Sequence, residues 1–276
     1  VHLFNGGYSS TIDSYTMAGA KTHLWDYVAV SVAGGETLSF DEQATGFVRP
    51  ADGGLIVPFA LPADAGASIY LGKLTPDGSR VVFLDTSQNF WSSLTATANV
   101  TALPHTGGLA NVAPGSPGKS GTSVVMSPDG SHFLFQDTSA TSYVASTTAG
   151  NAVAVHAVNG AAVTKVRFSS DSRYVLFNAG SALQAAPVDT AAPFEMAPET
   201  TCEVGVCWVP AHDSKVVYVS GGDLWAGDLA GGGAGSVRIA RSAAQFVLDA
   251  SGAVAAYQYN DSSQSQKSGL FVVDVP

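Results

Sequence analysis

Short apolar runs of about five residues recur along the chain, each entered by a polar turn and left by a polar corner. They read RVVFL (80–84), HFLFQ (132–136), RYVLF (173–177), KVVYV (215–219) and AVAAY (253–257). Each is too short for a helix, rich in β-branched and aromatic residues, and continuous rather than alternating. That combination predicts strands buried on both faces. No stretch carries a helical period, so the expectation is an all-β protein.

The runs belong to a repeat. PDGSRVVFLDTS (76–87) and PDGSHFLFQDTS (128–139) match at eight of twelve positions. SDSRYVLFNAG (170–180), HDSKVVYVSGG (212–222) and ASGAVAAYQYN (250–260) are weaker copies. Aligned on Gly78, Gly130, Ser172, Ser214 and Gly252, the copies are 52, 42, 42 and 38 residues apart. A period near 42 suits four-stranded propeller blades. In the two full copies Pro sets φ at the turn, Asp bonds the turn backbone and Gly takes the left-handed position, whereas the copies at 170, 212 and 250 lose Pro or Gly. The apolar run is then the second strand of a blade. DLWAGDL (223–229) and GLFVVDV (269–275) read as third strands, and AVAVHA (152–157) and SVRIA (236–240) as fourth strands.

These residues resemble the repeats of the TolB-like propeller family, whose mark is a Ser-Pro-Asp-Gly turn, an apolar strand and a strand ending in Asp. The resemblance spans about residues 70–276 and is strongest at Ser127-Pro128-Asp129-Gly130. It implies fold rather than activity, since similar propellers serve as periplasmic scaffolds, hydrolase lids and envelope lipoproteins. The whole chain, 1–276, is then one propeller domain of six blades, with seven as the alternative. The last unit stops after its third strand, and an open sheet edge invites aggregation. An N-terminal strand is therefore expected to close the ring, either HLWDYVAVSV (23–32) or VHLF (1–4). GFVRPADGGLIVPFA (46–60) is expected to begin a degenerate extra blade, so that 1–69 holds the closing strand and that blade.

Charge narrows the partners. With 12 Lys and Arg against 22 Asp and Glu, the net charge is −10, which disfavours nucleic acid and anionic membrane surfaces. No apolar run approaches the ~20 residues that span a bilayer.

APGSPGKS (113–120) has the spacing of a phosphate-binding loop, but a strand must precede such a loop and a helix must follow it. Here TGGLAN precedes, the first strand of a blade follows, and Pro114 and Pro117 remove amide donors. It reads as a connector. It lies in the longest insertion, LPHTGGLANVAPGSPGKSG (103–121), on the face where inter-blade links gather, so His105 and Lys119 are candidate ligand contacts. Asp85 and Asp137 end equivalent strands and either cap their corners or form an acidic rim. Lys165 and Arg167, in TKVRFS, sit on an innermost strand and meet either channel water or an anionic ligand. Trp91, Trp208 and Trp225 read as packing residues, and His132 as structural. Cys202 and Cys207, in CEVGVC, are either a local disulfide or two separate core thiols. No metal motif and no Gly-x-Ser-x-Gly elbow occurs, so neither metal nor cofactor is expected.

Three functions fit this reading. The first is a non-enzymatic scaffold that binds a protein or peptide at its channel mouth, in the periplasm or outside the cell, with or without an envelope anchor. The second is a hydrolase or lyase with its site in the central channel. The third is a lid or spacer domain of a larger protein.

Overall fold

The computed structural model describes residues 2–4, 12–15, 21–25, 28–40, 46–50, 57–62, 69–85, 87, 89–103, 124–137, 140–148, 150–190, 192–200, 207–259 and 269–276. Every regular element among them is a strand. β1 (His2–Phe4), β2 (Ile12–Tyr15) and β3 (Lys21–Trp25) form a three-stranded sheet. β4 (Val28–Ala33), β5 (Glu36–Phe40), β6 (Gly46–Pro50) and β7 (Val57–Phe59) form a four-stranded one. Three more four-stranded sheets follow in the same order as the chain: β8 (Ile69–Leu74) to β11 (Val100–Ala102) through β9 (Arg80–Asp85) and β10 (Phe90–Leu94); β12 (Val125–Met126) to β15 (Val153–Ala154) through β13 (His132–Gln136) and β14 (Ser142–Ser146); and β16 (Val163–Phe168) to β19 (Phe194–Ala197) through β17 (Tyr174–Ala179) and β18 (Ala182–Pro187). β20 (Trp208–Pro210), β21 (Lys215–Ser220), β22 (Asp223–Asp228) and β23 (Val237–Ala240) make the fifth. β24 (Ala243–Leu248), β25 (Val254–Tyr259) and β26 (Gly269–Asp274) make a final sheet of three. Each sheet is an up-and-down meander, and consecutive meanders of this kind are the units of a propeller-like all-β fold.

All five apolar runs are second strands: β9, β13, β17, β21 and β25. The predicted third strands are β22 and β26, and the predicted fourth strands hold β15 and β23. By compactness the chain divides into two units, residues 1–133 with 145–152 and residues 134–144 with 153–276. In the first, Val81 and Phe83 of β9 join a core with Leu38, Val48, Phe59, Ile69 and Leu74, where Phe59 and Phe83 stack at 5.7 Å. Val82 and Leu84, on the other face of β9, are also buried.

The second unit repeats this arrangement. Val175 and Phe177 of β17 enter one core with Leu134, Val144 and Phe168. Leu176 enters the next, with Trp208, Val216 and Tyr218. Val217 and Val219 of β21 then point into a third core with Phe246 and Ala255. Because side chains alternate sides along a strand, one second strand supplies two successive cores. That is why its sequence is apolar without interruption. β25 departs from the pattern. Among the described residues its sheet packs through one face, and Val247, Leu270 and Val272 stay 65%, 77% and 68% exposed on the other. That open face lines a shallow groove of about 550 Å³ with Gln245, Ala256 and Gln258.

The N-terminal expectations need correction. Residues 23–32 are not one closing strand, because β3 ends at Trp25 in one sheet and β4 starts at Val28 in another. β4 turns directly into β5 through Gly34 and Gly35, both at positive φ (56° and 79°), the condition for a two-residue primed hairpin turn. The stretch 46–60 supplies the third and fourth strands of that sheet instead of beginning it. The described strands thus form seven sheets, one more than the six blades expected. β26 pairs with β25, and no strand is paired to its other side among the described residues.

Three of the turns that open the repeats share one hydrogen-bond device. The hydroxyls of Thr75, Ser127 and Ser169 donate to Asp77, Asp129 and Asp171, at 2.6, 2.7 and 2.6 Å. Each hydroxyl also accepts the N–H five residues on, from Arg80, His132 and Tyr174. Each carboxylate in turn accepts the N–H of Ser79, Ser131 or Arg173. In the last copy the roles are exchanged. Asp249 takes the first position and accepts the Val254 N–H, while the Ser251 hydroxyl donates back to it. Neighbouring turns also clasp. The Ser214 hydroxyl donates to Asp171 and accepts from the Arg173 guanidinium, and Ser170 donates to the carbonyls of Ala211 and Asp213.

Gly130 shows why this turn keeps glycine. Its φ is +73°, and an added Cβ would lie 2.8 Å from the Cβ of Thr75 in the neighbouring turn. Gly130→Ala should therefore cost about 2 kcal/mol in urea unfolding, from left-handed strain plus the clash. A loss below a few tenths would show that the turns can separate freely.

The carboxylates of Asp77 and Asp171 are held below the usual range. For Asp77 the Thr75 hydroxyl is the chief cause, with Ser79 behind it. For Asp171, burial pulls upward, but the hydrogen bonds from Ser169, Ser214 and Arg173 outweigh it. A depressed folded value gives stability that is complete above the unfolded pKa of about 3.9 and is lost as pH falls through the folded value. The urea midpoint of Ser169→Ala should therefore lie below wild type at neutral pH, with the gap closing below about pH 4. A gap that persists unchanged in acid would remove the carboxylate from the explanation.

Candidate functional site

Asp85 closes β9 and is 1% exposed. Its carboxylate accepts the backbone N–H of Asn89 at 2.8 Å, the Asn89 side-chain amide at 3.1 Å and the Trp91 indole N–H at 2.8 Å. Asp137 repeats the pattern, accepting the Thr141 N–H at 2.8 Å and the Tyr143 hydroxyl at 3.2 Å. Burial, the Asp137 charge and this hydrogen bond together raise the Tyr143 pKa above its ordinary value. Both aspartates tie the corner after a second strand to an aromatic ring on the third. The corner-capping role is the one these contacts support.

Lys165 and Arg167 both lie on β16, the first strand of its sheet, and both are exposed. Two positions apart on a regular strand, they would share a face. A bulge changes this. Thr164 and Arg167 stand opposite Asn178 and Leu176, which share a face, so Lys165 and Val166 together stand opposite Phe177. Lys165 takes the bulge conformation, with φ +53°. The two cations are therefore directed to opposite faces and do not form one fork.

Arg167 has a defined seat. Its guanidinium carbon lies 5.8 Å from the centre of the Trp208 ring, within reach of a cation–π contact. Trp208, on β20 of the next sheet, is 2% exposed, and its indole N–H donates to Asn178 Oδ1 at 2.6 Å. The Asn178 amide donates to Thr200 Oγ1 at 3.2 Å, and Thr200 donates to the Ser181 carbonyl at 3.0 Å. This chain of bonds holds the ring in place beneath the guanidinium. Among the described residues, no ion pair involves Arg167 or Lys165, whereas Arg173 and Arg238 are bound to Asp171 and Asp223.

Asp129, Ser131 and His132 bring a carboxylate, a hydroxyl and an imidazole together, but in the wrong order for a relay. The Ser131 hydroxyl is the middle group, 2.7 Å from Asp129 and 2.8 Å from His132 Nδ1, whereas a nucleophile's histidine stands between hydroxyl and acid. Cys207 is disulfide-bonded. The chain's other cysteine, Cys202, lies outside the described residues, as do His105 and Lys119. Among the described residues, no group of three or more His, Cys, Asp or Glu side chains could hold a metal ion.

Sequence reasoning found Arg167 and Trp208 separately and missed their pairing. Their positions are 41 residues apart, close to one repeat period, and that spacing was the available signal. It also missed the hydroxyls of Thr75, Ser127 and Ser169. Their recurrence two residues before each turn Asp was legible.

No protein-family model matches the chain, and no curated protein matches it. Among solved structures, the tricorn protease is similar at 13% identity and a TM-score of 0.36, over 98% of this chain and 27% of that one. The chain thus spans about a quarter of that protein. YCF48 bound to D1 peptide is similar at 12% identity and a TM-score of 0.45, over 100% of this chain and 90% of that one. TolB from Acinetobacter baumannii is similar at 13% identity and a TM-score of 0.40, over 79% and 57%.

Replacing Asp85 by Ala leaves three buried or half-buried donors without their acceptor. The expected cost is about 2–3 kcal/mol in urea unfolding. A stable Asp85→Ala protein that had instead lost binding would return this residue to the ligand site.

Proposed function

We propose that the chain is a non-enzymatic scaffold, a TolB-like propeller that recognises a protein or peptide segment at the mouth of a central channel. One observation carries this reading. The carboxylates that could do chemistry at strand ends and turns are committed to holding the fold, whereas Arg167 and Lys165 stand exposed on a first strand without a carboxylate partner. Such a surface offers rigid, charged contacts and no assembled nucleophile. Shared cores between successive sheets supply the rigidity on which exposed loops can act. Closure of the successive sheets into a ring, and a recognition loop at 103–121 carrying His105 and Lys119, belong to the same proposal.

The site of action is the periplasm or the outside of the cell. The disulfide at Cys207 supports an oxidising compartment. Nucleic acid is disfavoured by the net charge of −10.

The test is affinity capture from envelope extract of the source cells, with the immobilised chain as bait and the free chain as competitor. One saturable partner is expected, with retention reduced at least about tenfold when 103–121 is replaced by a Gly-Ser linker and the melting temperature is kept. Hydrolysis of small esters or glycosides by the purified chain, with no protein retained, would overturn the scaffold reading.

A further inference from the structure

We infer that Arg167, seated on Trp208, is the contact that receives a carboxylate of the partner segment, in an inference that rests on the scaffold reading. Two observations lead to it. The guanidinium lies over a ring that is itself immobilised through Asn178 and Thr200. Seating a long, flexible side chain before binding reduces the ordering cost at the moment of contact. Among the described residues, the hydrogen-bonding edge of the guanidinium has no ion-pair or hydrogen-bond partner, in contrast to Arg173 and Arg238. A guanidinium held by a cation–π contact has less freedom to lose on binding, and its planar fork of donors fits a carboxylate with two parallel hydrogen bonds.

The rest of the molecule limits which anion can approach. The net charge is −10, and the turns of successive repeats each bring a carboxylate: Asp77, Asp129, Asp171, Asp213 and Asp249. A polyanion meets repulsion from a chain of that net charge. A peptide with one carboxylate and otherwise neutral neighbours meets far less. The bulge at Lys165 fits this. By directing the second cation to the opposite face, it leaves a single fork beside Trp208 rather than a cluster suited to several phosphates. The assigned ligand is thus one Asp, Glu or C-terminal carboxylate on an otherwise uncharged protein segment.

The experiment uses the whole chain, labelled so that arginine Nε–H signals are resolved by NMR. It is titrated with an acetylated, amidated alanine peptide carrying one central Glu, then with its Gln counterpart, and separately with inorganic phosphate. The Arg167 signal should move saturably with the Glu peptide, and the Glu form should bind about tenfold more tightly than the Gln form, the effect of one charge-assisted hydrogen bond. Arg167→Gln should abolish that preference with an unchanged melting temperature. Arg167→Lys should restore only part of it, because an ammonium keeps the charge and loses the fork. Lys165→Gln should retain it. Equal binding of the two peptides, or a preference that survives Arg167→Gln, overturns the assignment. A response to phosphate with none to the Glu peptide also overturns it, in favour of a phosphate ligand. Because envelope capture is scored separately, a captured partner whose retention is indifferent to Arg167→Gln would overturn this contact and leave the scaffold standing.

Discussion

The structure depends on second strands that are apolar on both faces. A strand such as β17 sends Val175 and Phe177 into one core and Leu176 into the next. Neither core can form from one sheet alone, because each needs the opposing face of a neighbour. Stability in such an arrangement is shared between adjacent units, as in other repeat proteins. The final sheet shows the converse. Where only one face is covered, Val247, Leu270 and Val272 remain in solvent, and the apolar character of β25 weakens to alanine.

The same constraint accounts for the polar residues. A strand buried on both faces must begin and end in turns whose own backbone groups are satisfied, or the burial would strand unpaired donors. The repeat meets this locally. A Thr or Ser hydroxyl bridges a carboxylate and the incoming strand N–H at the start, and Asp85 or Asp137 ties the corner to an aromatic ring at the end. Asp77, Asp85, Asp129, Asp137, Asp171 and Asp249 serve the backbone in this way. The exposed cations of β16 are left over from that bookkeeping, and Arg167 alone of the pair rests on a fixed aromatic surface.

Much of this was legible in the sequence. The apolar runs, the Pro-Asp-Gly turns and the period near 42 identify the second strands and their order, since a repeated unit writes the same local requirements again and again. The N-terminal part was read less well. Its copies lack the Pro-Asp-Gly mark, and the Gly34–Gly35 hairpin that starts β5 was passed over in favour of one long strand. Lys165 and Arg167 were read together as cations of one innermost strand. The bulge that separates them carries no sequence mark of its own.

By itself, then, the sequence determined what is local or periodic: strands rather than helices, which strand of each repeated sheet is the apolar second one, and where the turns of the repeat fall. These follow from short-range backbone preference and from repetition. Tertiary structure alone decided which carboxylates were spent, that the two cations of β16 point apart, and that Arg167 rests on Trp208 from the following sheet. Those outcomes depend on residues one repeat apart meeting across a shared core, and spacing along the chain does not state which side chains meet there.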